Sequence, residues 1–367
     1  MTGPRLTPLA AALPASVPFV GPEAQERALG RPFRARIGAN ESVFGPSPAA
    51  IAAMRAAAAE AWKYGDPECF DLRGALAGRH GVARDNIVVG EGIDGLLGYL
   101  VRLLVAPQTP VVTTAGSYPT FNYHVVGHGG RLAAVPYRDD RVESAALADA
   151  ARATGAPLVF LANPDNPTGS WIPAEEIIRL LDALPEGCLL CLDEAYADFA
   201  PPGALPPIDA DDPRVIRMRT FSKAHGLAGL RVGYAIAEAG LAAAFNKVRN
   251  HFGVGRVAQA GAMAALGDNA WVDSVVARVA EARARIAETA AANGLRALPS
   301  ATNFVALDTG RDGAFARRLL QALAERGVFV RMGFAPPQDR CIRVTAGTAA
   351  DLDAFAAALP EALAALG

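Results

Sequence analysis

Between Asn86 and Ile236 short apolar runs recur, and this recurrence limits the fold more than any other feature. The runs are Asn86–Val89, Val111–Thr114, Leu132–Val135, Leu158–Leu161, Leu189–Leu192, Val215–Met218 and Val232–Ile236. Most are separated by helical patterns such as Gly95–Val105 and Ala174–Ala183, or by Pro/Gly turns. A strand with no polar alternation is buried on both faces, which points to a mostly parallel, seven-stranded sheet lying between helices. Beyond it the pattern predicts a long helix from about Trp271 to Ala292. Then come strand Thr302–Leu307, helix Gly313–Arg326, strands Val328–Val330 and Cys341–Val344, and a closing helix. The expected division is an arm over 1–39, a large α/β domain over 40–260 and a small α+β C-terminal domain over 261–367 with the arm packed against it. Ala49–Trp62 reads as a helix flanking the large domain.

Composition excludes several classes. A formal net charge of −2 argues against a nucleic-acid partner held by bulk charge. Four cysteines in 367 residues do not make a disulfide scaffold, so a cytoplasmic protein is expected. Pro8, Pro14 and Pro18 interrupt the N-terminal apolar run, which predicts an extended arm rather than a signal helix. Leu103–Gly130 carries no charged residue, but its Pro, Gly and Thr content reads as loops and a strand, not a membrane span.

Two motifs mislead. Gly90-Glu91-Gly92-Ile93-Asp94-Gly95 fits G-x-G-x-x-G between a strand and a helix. The acidic residue that a dinucleotide ribose requires about 20 residues on is absent, so the loop is read as a phosphate site. Cys188-Leu189-Leu190-Cys191 is a C-x-x-C on a core strand, where residues three apart point to opposite faces. None of the histidines, including His124, His128 and His225, has metal-ligand spacing.

Three segments fall at predicted strand ends, where open α/β sheets bind ligands. They are Asn163–Gly169, Asp193-Glu194-Ala195-Tyr196 and Arg219–Gly233. Taken singly, the first could be a turn, Asp193 a helix cap and Lys223 a solvated lysine. Together with the phosphate loop they fit pyridoxal 5′-phosphate. Its aldehyde requires the Lys223 amine for a Schiff base, and its pyridine nitrogen requires the Asp193 carboxylate. Its phosphate suits Gly92–Asp94 with Ser222 and Arg231, and its phenolic oxygen suits Asn166 and Tyr196.

At these residues the sequence resembles fold-type I aminotransferases, most closely the histidinol-phosphate aminotransferase family. Further matching stretches are Asn40-Glu41, Lys63-Tyr64, Ser117-Tyr118-Pro119, Thr302-Asn303-Phe304 and Ile342-Arg343-Val344-Thr345. The resemblance implies that Lys223, Asp193 and Tyr196 are catalytic. It implies that Gly92, Ile93, Asp94, Thr220, Ser222 and Arg231 cradle the phosphate, that Tyr118 stacks on the ring, and that Asn166 and Tyr196 bond the phenolic oxygen. Tyr64 would reach the cofactor phosphate of a second subunit, so a homodimer is expected. Arg343 would bind the anionic group of the substrate, with Arg331, Asn40 and Phe19 as further substrate contacts. Phe19 stands where the family's arm has a tyrosine, and Gly38 replaces the first Asn of an Asn-x-Asn-Glu opening. The implied reaction moves an amino group from histidinol phosphate, or a related aromatic amine, to a 2-oxo acid. Transamination of aromatic or other amino acids, a same-fold decarboxylase acting on a substrate such as threonine phosphate, and a non-catalytic regulator stay open. Regulators on this fold add a DNA-binding helical domain, for which the segment before Asn40 is expected to be too short.

Overall fold

The computed structural model describes residues 5–15 and 20–367. Its strands are β1 Ala35–Arg36, β2 Ile87–Gly90, β3 Pro110–Thr114, β4 Arg131–Val135, β5 Leu158–Ala162, β6 Leu189–Asp193 and β7 Val215–Thr220. They continue with β8 Gly233–Ile236, β9 Arg296–Ala297, β10 Phe304–Asp308, β11 Val328–Phe329, β12 Arg331–Met332 and β13 Cys341–Thr345. The seven strands β2 to β8 form one sheet in the order β2-β8-β7-β6-β5-β3-β4. It is parallel except for β8, which runs antiparallel to both β2 and β7. The expected architecture is present, with strand ends shifted by a residue or two.

Burial on both faces explains the unbroken apolar strands. One face packs Phe160, Cys191 and Met218 beneath helix Gly92–Leu104, which contributes Leu97 and Leu100. Phe121 of helix Pro119–Gly127 stacks on Phe160 with centroids 4.4 Å apart. The opposite face packs Val159, Leu161 and Leu190 against Leu147 of helix Ser144–Thr154 and Leu180 of helix Ala174–Ala183. Cys188 belongs to this second core and Cys191 to the first, so the C-x-x-C side chains do lie on opposite faces.

A four-stranded antiparallel sheet, β12-β13-β10-β9, forms the C-terminal part. Its core joins Phe304 and Leu307 to Val275 and Ile286 of the long helix Asn269–Ala292 and to Phe355 of helix Ala349–Ala364. β1 pairs in parallel with β11, so the segment before Asn40 is stitched to this part.

The arm is extended only in part: its first helix ends before Pro14, with Leu13 extended, and Pro18 lies outside the described residues. Pro8–Ala12 and Pro22–Leu29 are helices, each with proline in its first turn. Proline there lacks an N–H that the helix does not use, and its φ is already helical, so these residues start helices rather than forbid them. Helix Pro48–Ala58 also ends short of Trp62. Among the described residues no helix is long and apolar enough to cross a membrane.

Candidate active site

The sheet brings together the ends of distant segments. Ala162 pairs with Asp193, Asp193 with Met218, Thr220 with Gly233 and Gly233 with Gly90. The helix after β2 starts at Gly92, earlier than the apolar pattern suggests, so Gly92, Ile93 and Asp94 form its first turn. Beside that turn a cavity of about 400 Å³ opens, and it is lined by Ile93, Asp94, Tyr118, Asn166, Asp193, Tyr196, Thr220, Ser222, Lys223 and Arg231. Asn40, Arg331 and Arg343 complete its wall from the substrate side of the expectation.

Gly92 has φ +72°, and a Cβ there would lie 2.6 Å from Arg231 Nη2. The glycine thus admits a guanidinium against the helix N-terminus, where an anion is favoured. Arg231 Nη1 donates to Ser222 Oγ at 3.4 Å and to Ala228 O at 3.1 Å. Thr220 Oγ1 donates to Ser222 Oγ at 3.0 Å. Two hydroxyls, a guanidinium and free helix N–H groups therefore face one spot.

Asp193 is buried at the end of β6 and accepts a hydrogen bond from Ala195 N at 2.9 Å. Among the described residues no side chain donates to it. Burial raises its pKa to about 7. Lys223 Nζ donates to Asn40 O at 3.0 Å, and burial, reinforced by Arg343 and Arg231, lowers its pKa to about 8. Both shifts move the groups toward neutrality.

Asn40, in a left-handed conformation with φ 55°, is a hub. Its Nδ2 donates to Tyr196 Oη at 2.9 Å, its Oδ1 accepts from Thr345 Oγ1 at 3.1 Å, and its carbonyl also accepts from Asn303 Nδ2 at 3.1 Å. Burial drives the Tyr196 hydroxyl upward, keeping it protonated. Arg343 Nη1 donates to Asn166 Oδ1 at 2.5 Å, its buried Nε has no partner among the described residues, and desolvation brings its pKa down to about 10.

Two expected residues stand apart. Tyr64 is 78% exposed, away from this cavity, with its ring 4.8 Å from that of Phe252. Phe19 lies outside the described residues. Arg331 lines the cavity and donates to Val20 O at 2.7 Å, which ties it to the arm.

Residues 36–359 match the sequence family described as aminotransferase class I and II. The crystal structure of histidinol-phosphate aminotransferase from Sinorhizobium meliloti in complex with pyridoxal-5′-phosphate is 53% identical. It superposes with a TM-score of 0.97 over 100% of this chain and 99% of that one. Histidinol-phosphate aminotransferase of Anaeromyxobacter sp. is 37% identical over 98% of this chain and 99% of its own length. The chain belongs to the histidinol-phosphate aminotransferase family. A third relative, histidinol-phosphate aminotransferase of Moorella thermoacetica, is 35% identical over 93% of this chain and 89% of its own.

For an aminotransferase, the sequence reading left out part of the wall. Glu41, Pro164, Ala195, Gly229 and Phe334 also line the cavity. Phe334 had a signal, since it follows Arg331 by three residues in a Gly/Pro loop. Glu194 had none. It is fully buried on the far side of the sheet from the cavity, accepting from Arg217 Nε at 2.9 Å and Arg219 Nε at 2.8 Å.

Proposed function

We propose that this chain is a pyridoxal 5′-phosphate enzyme that moves the amino group of histidinol phosphate to a 2-oxo acid such as 2-oxoglutarate. One observation carries the reading: Lys223, Asp193, Arg231 and Arg343 all line a single cavity. The residues fit the cofactor. A buried carboxylate without a cationic hydrogen-bond partner suits a ring N–H, and the Gly92 turn with Arg231, Ser222 and Thr220 suits a phosphate.

When bound, the cofactor supplies an aldehyde that takes up amines and a ring that accepts the electron pair left on the substrate α-carbon. Asp193 holds a proton on the ring nitrogen, and that cation in turn offsets the cost of burying the carboxylate. Lys223 anchors the aldehyde. Its Nζ, close to neutrality, would also be the base that takes a proton from the substrate α-carbon and the acid that gives one back. Asn166 and Tyr196 serve the phenolic oxygen, and Tyr118 packs on the ring. Arg343 and Arg331 are the anion partners for a phosphate-bearing amine and a dicarboxylate acceptor.

The proposal includes a homodimer in which Tyr64 serves the partner's cofactor phosphate. Its exposure, and that of the adjacent Phe252 at 51%, supports this reach. The proposed division is an arm (1–39), a cofactor-binding part (40–260) and a C-terminal part (261–367); pairing of β1 with β11 supports packing of the arm on the C-terminal part, while helix Arg256–Gly267 runs through the 260/261 boundary. All four cysteines are buried as unpaired thiols, which suits the cytoplasm.

A half-reaction screen tests the function. Amines are added one at a time while the visible absorbance of the bound cofactor is followed. Loss with histidinol phosphate and with glutamate is the expected outcome. A response to phenylalanine or tyrosine alone would replace the substrate, and carbon dioxide release would replace transamination with decarboxylation.

A further inference from the structure

The loop Gly333–Arg340, between β12 and β13, contributes to the cavity wall a side chain that neither cofactor binding nor proton transfer uses. That side chain is Phe334, which lines the cavity with Arg331, Arg343 and Tyr118. It is 40% exposed, a large apolar surface left in water at a binding cavity. The Arg343 guanidinium carbon lies 5.8 Å from the Phe334 centroid and 5.1 Å from that of Phe304, within cation–π range of both.

The loop is held at both ends. Gly333 N donates to Cys341 O at 3.1 Å, and a Cβ at Gly333 would lie 2.3 Å from Gln338 O, so the turn requires glycine. Its far end is fastened to a turn of the large sheet's surround. Gln338 Nε2 donates to Asp140 Oδ1 at 3.2 Å and Arg340 Nη2 to Asp140 Oδ2 at 2.7 Å. Asp139 and Asp140 both have positive φ, 51° and 61°. Consecutive non-glycine residues in that region persist where the surroundings over-determine them. This turn presents a carboxylate to the loop that carries Phe334. Asp308 and Arg296 complete a cluster of two acids and two guanidiniums.

An aminotransferase accepts two amines in one cavity, and Lys223, Asp193 and the anion partners serve both. A residue that separates them must touch what one has and the other lacks. Histidinol phosphate carries a flat ring and glutamate does not. We infer that Phe334 is a specificity-determining residue that packs against the ring of the amine substrate, and that Asp140 is the positioning residue that holds its loop. This rests on reading the cavity as the amine site.

The test compares kcat/KM for histidinol phosphate with kcat/KM for glutamate in half-reactions of the holoenzyme. F334A lowers that ratio about tenfold, and F334Y keeps it within about twofold. D140A lowers it about threefold, and F334A/D140A falls no further than F334A, because changes acting through one ring are not additive. An unchanged ratio in F334A overturns the ring contact. Additive losses in the double variant overturn the positioning role of Asp140, since a merely stabilising residue would add its own effect. Should the wild type respond to phenylalanine but not to histidinol phosphate, the substrate reading fails alone and the ratio is read with phenylalanine. A wild type that responds to no amine bearing a ring sinks both.

Discussion

Lys223 and Asp193 show burial acting on opposite charges, one pKa lowered to about 8 and the other raised to about 7. Lys223→Ala should abolish turnover and leave no borohydride-reducible adduct at the enzyme lysine. Asp193 makes a prediction about stability as well. Its pKa is higher folded than unfolded, so its stabilising contribution is complete below about 4 and is lost as pH rises through about 7. Cofactor-free Asp193→Asn should therefore melt with the wild type near pH 4 and above it by a growing margin toward pH 7, while binding cofactor more weakly. Thermal melts across pH and an absorbance titration check both halves. A wild type that gained on the variant as pH rose would contradict the assignment. Asp193 was legible because a carboxylate at the end of an apolar run has few structural reasons to be there, and Lys223 because the phosphate loop, Asp193 and Arg231 gave its amine a partner set. The Asn40 hub was not legible as a hub, since its partners Tyr196, Asn303 and Thr345 come from separate segments that only the folded chain gathers.

Strands and loops carry their own predictions. Beneath the cavity, Glu194 joins Arg217 and Arg219 of β7 to the residue after β6. Glu194→Ala would leave two guanidiniums in the interior without their anion, at a cost of about 3–5 kcal/mol by urea denaturation. The loop holding Lys223 turns at Gly226, whose φ is +70° and whose added Cβ would sit 2.3 Å from Gly45 O. Backbone cannot swing aside as a side chain can, so Gly226→Ala should lower the unfolding free energy measured in urea by more than about 1 kcal/mol and weaken cofactor retention. The large sheet was readable because double-sided burial leaves a continuous apolar signature. Helices Phe70–His80 and Arg256–Gly267 gave no comparable signal. They carry glycines against neighbours, Gly74 near Arg84 and Gly261 near Met54, and close approach there replaces a broad apolar stripe. The first-turn prolines misled for a similar reason, since proline breaks a helix or begins one according to position.

At the scale of the assembly, the proposed homodimer places Tyr64 of one chain at the other's cofactor phosphate. Lys223→Ala and Tyr64→Ala chains, each impaired alone, should regain turnover when unfolded and refolded together. Each mixed pair then holds one site with both an intact lysine and an intact tyrosine. Light scattering of either variant should report two chains per particle. No recovery on mixing would place Tyr64 in its own subunit's chemistry or outside it altogether.

The pairing of β1 with β11 joins Ala35 to Val328. During synthesis the N-terminal segment must wait, unpaired, until nearly all of the chain has left the ribosome. Sheet β2 to β8 can assemble in the meantime from neighbours much nearer in sequence. Closing the arm is thus among the last events of biogenesis, and a truncated translation product ending before Val328 exposes that short edge to chaperones and proteases.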